Sequence, residues 1–330
     1  MVKWLLSWAL LAASPCLFAT SASAQQGLAN IQPLGRLVAV DGHRLHLYCT
    51  GAGRPTVILE PGAGGGALYW AWVQRAVAKT TRVCSYDRPG IGWSDPVNGP
   101  KDASSVSQRL WTLLNSAAEA GPYVLVGQSL GGAYMRKFAA EHRGELAGFV
   151  LVDATNPSVL TTTEEVGLPA FGKSSFAGFL ASNDALWEFV SELGIIRGTY
   201  DIQLNDFPSD LTSVMQAFVE DPQRGRAAVA EQSGAYDTLR EIEALENLGN
   251  LPVTVISSDR WIDNDAALAA KRADWNKRQQ RNWLSVSTNS LFLIVPGSDH
   301  LSLLSNRDHA GQVANAVLDL VRRVKKPGRK

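Results

Sequence analysis

The chain has 330 residues, of which 45% are apolar, so it is long enough to bury a large core. Its 31 Lys and Arg residues balance 31 Asp and Glu residues, which gives a formal net charge of +0. This balance provides no electrostatic attraction for nucleic acid or for an acidic membrane surface, and the composition predicts a globular protein.

The first 24 residues have the pattern of a secretory signal peptide. Lys3 precedes an apolar run at 4–11, and the small residues 22–24 suit a cleavage site before Gln25. Pro15 interrupts the apolar stretch short of the ~20 residues that a bilayer requires. We therefore expect an exported protein, periplasmic or extracellular, with no stable membrane insertion after the leader is removed.

The following region predicts an α/β fold. Runs at 36–40 and 43–48 flank Asp41-Gly42, a strong hairpin signal. Apolar residues spaced as on one helix face begin near Trp70, Val106 and Val313. Six further runs are short and rich in Val, Ile and Leu, as buried parallel strands are: 56–59, 82–86, 123–126, 148–152, 253–256 and 291–295. Such alternation predicts a mostly parallel eight-stranded sheet with helices on both faces and ligands at the carboxyl ends of the strands.

One interval is too long for a simple crossover. About a hundred residues separate the run at 148–152 from the run at 253–256, so we expect an inserted lid. The predicted organisation is a leader at 1–24, a core at 25–156 and 249–330, and a cap at 157–248. The cap contains several aromatic side chains that pack it onto the core, with a few facing substrate: Phe171, Phe176, Phe179, Trp187, Phe189 and Tyr200.

Ser129 is the predicted nucleophile. It lies in a Gly-x-Ser-x-Gly pattern between Gly127 and Gly131, directly after an apolar strand and before a helical stretch. That context defines a nucleophile elbow, in which a Cβ at either glycine would clash with neighbouring backbone. The hydroxyl is expected to be exposed at a helix N-terminus.

A serine hydroxyl needs a general base and a third group that orients the base. His300 follows the last strand through a short loop at 296–299, which delivers it to the same sheet edge. Asp153 and Asp259 each close a neighbouring strand, and the residue pattern leaves both open as the acid. Asp263 and Asp265 lie further along a loop and suit helix initiation. The remaining histidines are explained as surface or packing residues: His43, His46, His142 and His309.

Attack of the serine on a carbonyl group would form an oxyanion, which requires preorganised N–H donors. The backbone N–H of Leu130, directly after the nucleophile, is the expected first donor. The glycine-rich loop at 60–66 is expected to supply the second, from Ala63.

The same loop also supports a rival interpretation. Gly62, Gly64 and Ala67 imitate a dinucleotide-binding fingerprint, with Asp87 at a ribose-binding position, which would indicate an oxidoreductase. A hairpin before the supposed first strand argues against it, and it leaves Ser129 unexplained.

Two cysteines remain after the leader. Cys49 follows the run at 43–48 and Cys84 lies in the run at 82–86, so a disulfide is feasible if these strands are neighbours. Two buried, unbonded thiols are the alternative.

Nearly all of the mature chain resembles the α/β-hydrolase superfamily, and specifically its lipase-like and esterase-like members with a cap after the sixth strand. The resemblance rests on the segment 86–95, which is similar to the tight loop after the fourth strand, and on the elbow at 127–132. It implies the α/β-hydrolase fold, and it implies that Asp87 and Arg88 are scaffold residues holding the loop. It also makes the strands of Cys49 and Cys84 neighbours, which favours the disulfide.

The resemblance implies an acid after the sixth or the seventh strand. The segment 256–260 lacks the glycine that is usual after the seventh strand, and its Asp259 lies unusually close to the strand end. Asp153 is therefore preferred as the acid. Many relatives have His-Gly where this chain has Glu60-Pro61-Gly62, so Ala63 is assigned by position alone. Dehalogenases and epoxide hydrolases with an aspartate nucleophile are disfavoured by the serine.

These observations predict a serine hydrolase that cleaves a carboxylic ester, or a related acyl bond of a small molecule, through an acyl-enzyme. No metal or organic cofactor is required. Amidase or aminopeptidase, lactonase and C–C hydrolase activities remain open, because one fold hosts them all. A non-catalytic binding protein on the same scaffold is the alternative of another class, and the sequence sets no expectation for the oligomeric state.

Overall fold

The computed structural model describes residues 28–168 and 206–325. Its centre is one eight-stranded sheet in the order β1-β2-β4-β3-β5-β6-β7-β8. The first two pairings of this order are antiparallel and the others are parallel. The strands are Arg36–Val40 (β1), His43–Thr50 (β2), Thr56–Glu60 (β3), Val83–Tyr86 (β4), Tyr123–Gln128 (β5), Leu146–Val152 (β6), Val253–Ser258 (β7) and Ser290–Val295 (β8). The predicted α/β-hydrolase architecture is confirmed.

Helices cover both faces of the sheet. In β3, Val57 and Leu59 face a cluster that includes apolar residues of the helices at 71–77 and 307–325, while Ile58 faces a cluster with residues of the helices at 103–116 and 130–141. This alternation follows from the period of two in a strand, with both faces buried. The helices are Ala71–Val77 (α1), Ala103–Ser116 (α2), Leu130–Glu141 (α3), Val159–Thr162 (α4), Thr212–Val219 (α5), Pro222–Glu243 (α6), Ala266–Asn282 (α7), Ser302–Ser305 (α8) and Arg307–Lys325 (α9).

The opening hairpin has the turn that its sequence indicates. Asp41 has a φ of 48° and Gly42 a φ of 82°, so both central residues are left-handed, as a tight two-residue hairpin turn requires. β2 continues past Tyr48 and carries Cys49 into the sheet opposite Cys84 of β4. The two cysteines form a disulfide with an S–S distance of 2.05 Å.

The expectation that the run at 291–295 is a buried strand is wrong for part of its length. Leu291 and Leu293 of β8 are 49% and 42% exposed. β8 is the last strand of the sheet and pairs with β7 alone, so the described helices do not cover its whole surface.

The predicted leader, part of the predicted cap and the last residues of the chain lie outside the described residues. These parts include the leader at 1–24, the tail at 326–330 and the six cap aromatics between Phe171 and Tyr200. The described portion of 157–248 contains α4, α5 and α6. Of the helices within the described ranges, none combines the length and the apolar character needed to cross a membrane.

The disulfide closes a chain segment with a sequence separation of 35 residues. Because closure of such a loop restricts the unfolded chain, the Cys49→Ser, Cys84→Ser double variant is expected to unfold with a free energy lower by about 3–4 kcal/mol. Denaturant unfolding without reductant measures this difference, and wild type treated with dithiothreitol should match the variant. A wild-type midpoint that reductant leaves unchanged would contradict the disulfide.

Candidate active site

Ser129 occupies a strained turn between β5 and α3. Its φ of 54° and ψ of −129° lie outside the regions that most side chains adopt. A Cβ on Gly127 would lie 2.6 Å from the carbonyl oxygen of Gly131, and a Cβ on Gly131 would lie 2.5 Å from that of Glu60. The glycines therefore permit the close approach that the elbow needs.

The structure brings His300 to Asp153. The imidazole Nδ1 lies 2.7 Å from a carboxylate oxygen of Asp153, across 147 residues of sequence. A carboxylate only accepts hydrogen bonds, so Nδ1 carries the proton and, in the neutral imidazole, Nε2 is the unprotonated nitrogen that accepts. This is the tautomer that a general base acting through Nε2 requires.

The carboxylate of Asp153 is buried, 5% exposed, and fully hydrogen-bonded. Ser258 of β7 donates its N–H at 3.0 Å and its hydroxyl at 3.0 Å, and Asn276 of α7 donates its side-chain amide at 2.8 Å. Burial alone raises the pKa of this carboxyl, but the hydrogen bonds from His300, Ser258 and Asn276 outweigh burial and leave the pKa below its usual value. Asp153 is therefore held ionised. The sequence pattern predicts neither Ser258 nor Asn276 as a supporting residue, because only the packing of α7 on β7 brings them to Asp153.

Asp259 is engaged elsewhere. Its carboxylate accepts the N–H of Gly297 at 3.0 Å and lies 3.1 Å from the ammonium of Lys277. Between the two candidate acids, the structure thus places Asp153, and not Asp259, against the imidazole. Asp259 instead anchors the loop that carries His300.

The other histidines lie where the sequence analysis expects packing or surface residues. His46 is buried and bonds the carboxylate of Asp87 at 2.7 Å, while His142 stacks on Trp111 with ring centroids 4.1 Å apart. His43 is in the hairpin strand β2 and His309 is in α9.

Gln128 is a site residue that the sequence analysis did not single out. Its side-chain amide donates to Nε2 of His300 at 3.0 Å, and its amide oxygen accepts the N–H of Gly62 at 3.2 Å. Among the described residues, Gln128 and not Ser129 is the hydrogen-bond partner of Nε2. The position directly before the nucleophile is the only signal in the sequence, and it does not reveal the contact.

Backbone N–H groups beside Ser129 form a candidate oxyanion hole. The N–H of Leu130 opens α3 and has no acceptor within the helix. In the loop after β3, Gly62 donates to Gln128, Gly64 to Glu231, and Gly65 to the Gly62 carbonyl. Within 62–65, the N–H of Ala63 is the one without a hydrogen-bond partner among the described residues. The two predicted donors therefore both have N–H groups available for a ligand.

The carboxylate of Asp87 is fully buried and bonded to protein groups, so it is not accessible to a ribose. It accepts the N–H of Ala67 at 2.7 Å and that of Trp93 at 3.2 Å, besides the imidazole of His46 at 2.7 Å. Asp87 therefore ties three segments together, in keeping with the scaffold role that the resemblance implies. This arrangement argues against the dinucleotide interpretation.

A cavity of about 420 Å³ opens onto the candidate triad. Its volume lies within the range of small-molecule sites. Besides Ser129 and His300, the lining includes four large apolar side chains: Val159, Leu168, Trp261 and Trp275.

The sequence pattern of the alpha/beta hydrolase family matches residues 57–316, and the chain belongs to that family. An uncharacterized protein of Schizosaccharomyces pombe is 29% identical over 235 residues, which cover 67% of this chain and 42% of that protein. This chain spans less than half the length of the first curated relatives that it matches.

Two solved structures illustrate the likeness in fold. The Cif epoxide hydrolase from Acinetobacter nosocomialis has a TM-score of 0.66 at 18% identity, covering 90% of this chain and 92% of that one. A thermophilic esterase from Thermogutta terrifontis has a TM-score of 0.58 at 22% identity, covering 88% and 97%. At these identities the likeness concerns the fold.

The hydrogen bond between Asp153 and His300 predicts the pH dependence of the site. Burial lowers the pKa of His300, but the hydrogen bond and the charge of Asp153 outweigh burial and hold the pKa above its ordinary value of 6.5. A base must be neutral, so kcat/KM is expected to rise with pH through a midpoint above 6.5. Asp153→Asn should lower kcat/KM about 10³-fold or more and move the midpoint of the residual activity to lower pH.

Asp259→Asn is the matched control. Because the carboxylate of Asp259 contacts Gly297 and Lys277 and not His300, its replacement should reduce kcat/KM less than about tenfold. Equal losses in the two variants, or an unshifted midpoint in Asp153→Asn, would contradict the assignment of the acid.

Gln128→Glu tests the contact at Nε2. An ionised carboxylate at 128 keeps an acceptor for the Gly62 N–H but stabilises the imidazolium of His300, so the midpoint of kcat/KM against pH should move upward. Gln128→Met, which has no charge, should not produce the upward shift. A midpoint identical to wild type in Gln128→Glu would show that residue 128 does not face the imidazole in solution.

Proposed function

We propose that this chain is a serine hydrolase that cleaves carboxylic esters through an acyl-enzyme, with Ser129 as nucleophile, His300 as general base and Asp153 as the orienting acid. The observation that carries the proposal is the carboxylate of Asp153 bonded to Nδ1 of His300 at 2.7 Å, at the sheet edge where the elbow presents Ser129. The charged, buried carboxylate stabilises the imidazolium that forms when the base accepts a proton.

The first half of the reaction forms the acyl-enzyme. Nε2 of His300 takes the hydroxyl proton of Ser129, and Oγ attacks the carbonyl carbon of the ester. The N–H groups of Leu130 and Ala63 hold the resulting oxyanion. Collapse of the tetrahedral intermediate breaks the bond to the alcohol oxygen, which receives its proton from His300.

The second half repeats these roles with water. His300 takes a proton from a water molecule, the hydroxide attacks the acyl carbon, and collapse returns the proton to Oγ of Ser129 as the carboxylic acid leaves.

The contact with Gln128 adds one step before chemistry. Since the amide of Gln128 occupies Nε2, that hydrogen bond must break before Oγ of Ser129 can donate to the same nitrogen. Apo geometry of this kind does not exclude a base, because catalytic hydrogen bonds often tighten only when substrate is bound. We propose that substrate binding displaces the Gln128 amide from Nε2.

The cavity supports an ester with an apolar group. Trp261, Trp275 and Leu168 line it, and its volume of about 420 Å³ suits a small molecule rather than a protein chain. The serine at the elbow separates this chain from an epoxide-opening mechanism with a carboxylate nucleophile. The similar structure from Thermogutta terrifontis is that of an esterase. We extend that activity to this chain as part of the proposal.

Export also belongs to the proposal. The leader at 1–24 would direct the chain out of the cytoplasm. The cap is a separate part of the proposal, and residues 157–248 would form it over the strand ends. The disulfide between Cys49 and Cys84 supports an oxidising compartment, since such bonds persist there and are rare in the cytosol.

A fluorophosphonate tests the nucleophile, because it modifies only an activated serine. Wild type should be labelled at Ser129 and should hydrolyse p-nitrophenyl esters, whereas Ser129→Ala should show neither reaction. Ser285→Ala, which replaces an exposed serine outside the site, is the matched control and should still be labelled at Ser129. Labelling of neither wild type nor variants would favour a non-catalytic binding protein.

A further inference from the structure

A buried ion cluster lies beneath the oxyanion loop, the segment 60–66. The guanidinium of Arg88, 2% exposed, contacts the carboxylates of Glu60 and Glu231. Its Nε and Nη2 lie 2.6 and 2.8 Å from the two oxygens of Glu231, a fork that fits a carboxylate well. Burial raises the pKa of Glu60 to about 7, although the charge of Arg88 opposes the shift. Burying such charges is costly, and the pairing has to offset that cost.

Arg88 also binds the backbone that leads to Ala63. Its Nη1 donates to the carbonyl oxygen of Pro61 at 2.9 Å, and its Nη2 donates to that of Gly62 at 2.7 Å. The second of these carbonyls belongs to the same peptide group as the N–H of Ala63. Because C=O and N–H of a planar trans peptide point in opposite directions, Arg88 turns the Ala63 N–H away from itself. Gly62 packs on Ser129, since a Cβ there would lie 2.8 Å from that of Ser129.

The cap helix α6 binds the backbone that follows Ala63. Glu231 accepts the N–H of Gly64 at 2.7 Å, and Arg224 donates to the Gly64 carbonyl at 2.9 Å. Gly64 has a φ of 68°, and a Cβ there would lie 2.5 Å from that of Ala228. The helix therefore sits directly on the loop, and the peptide groups on both sides of Ala63 are held by buried side chains.

We infer that Arg88 and Glu231 are positioning residues that hold the peptide group between Gly62 and Ala63 in the orientation that offers the Ala63 N–H to the oxyanion. This inference rests on the proposed function, because it concerns the oxyanion hole of that reaction. Since Glu231 belongs to α6, the cap completes the hole, and catalysis depends on the seating of this helix on the core.

Glu231→Gln is the sharpest test. Both carboxylate oxygens of Glu231 accept hydrogen bonds from Arg88 or Gly64. In the variant an amide NH2 replaces one of these oxygens, and it cannot accept the hydrogen bond from the N–H group that it faces. Arg88 retains Glu60 as a partner, which favours folding of the variant. We expect kcat for a p-nitrophenyl ester to fall about 10–100-fold, with KM changed less than about threefold, because one oxyanion donor is misplaced. Affinity for a boronic acid that forms a tetrahedral adduct with serine should fall by a similar factor.

Two further variants make the result specific. Glu243→Gln removes a carboxylate from the exposed end of the same helix, where its partner is Arg240, and should keep the wild-type kcat. Arg88→Lys keeps the positive charge but cannot bridge two carbonyls and Glu231, so it should reproduce the selective loss of kcat. Thermal melting of each variant checks the fold.

The outcomes separate the inference from the proposed function. If Ser129→Ala is inactive while folded Glu231→Gln and Arg88→Lys retain wild-type kcat and boronic acid affinity, the inference is wrong and the proposed function stands. A lower melting temperature with unchanged kcat would also overturn the inference, because it would assign the cluster a purely structural role. If Ser129→Ala keeps full esterase activity, both are wrong.

Discussion

Close contact between backbones at the nucleophile elbow is the constraint on which the rest of the site depends. A Cβ on Gly131 would clash with the carbonyl oxygens of Pro61 and Glu60, and a Cβ on Gly132 would clash with Ala154. The absence of these Cβ atoms lets the start of α3 lie directly against the end of β3 and the end of β6. Ser129, the oxyanion loop and Asp153 are therefore brought together by the elbow itself, and the strain at Ser129 is the cost of that approach.

The sheet supplies the second level of organisation. β6, β7 and β8 are parallel neighbours, so the loops that follow them meet at one edge. Asp153 follows β6, Ser258 ends β7 and supports the carboxylate, and His300 follows β8. The charge at Asp153 is stabilised by fixed donors, and it in turn fixes the imidazole tautomer. A polar chain of this kind is rigid because each member is satisfied.

The element types and the sheet edge could be predicted because period-two and period-3.6 patterns, the Asp41-Gly42 turn and the elbow glycines are local features. The candidate residues Ser129, His300, Leu130 and Ala63 follow from strand ends and motif positions for the same reason, whereas these positions leave both Asp153 and Asp259 open as the acid. The contacts of Gln128, Asn276 and Glu231 could not be predicted, since each joins segments far apart in sequence through a side-chain geometry that no local pattern encodes. Arg88 was expected to hold its own loop, whereas its guanidinium binds the loop after β3, and the edge position of β8 leaves apolar residues exposed.

The most direct test of the account is a crystal structure of the protein after reaction with a fluorophosphonate. The phosphorus should be bonded to Oγ of Ser129, with its free oxygen about 2.7–3.1 Å from the backbone nitrogens of both Leu130 and Ala63. The side chain of Gln128 should have left Nε2 of His300. A phosphonyl group on another residue, or an oxygen that points away from the loop after β3, would contradict the proposed catalytic arrangement.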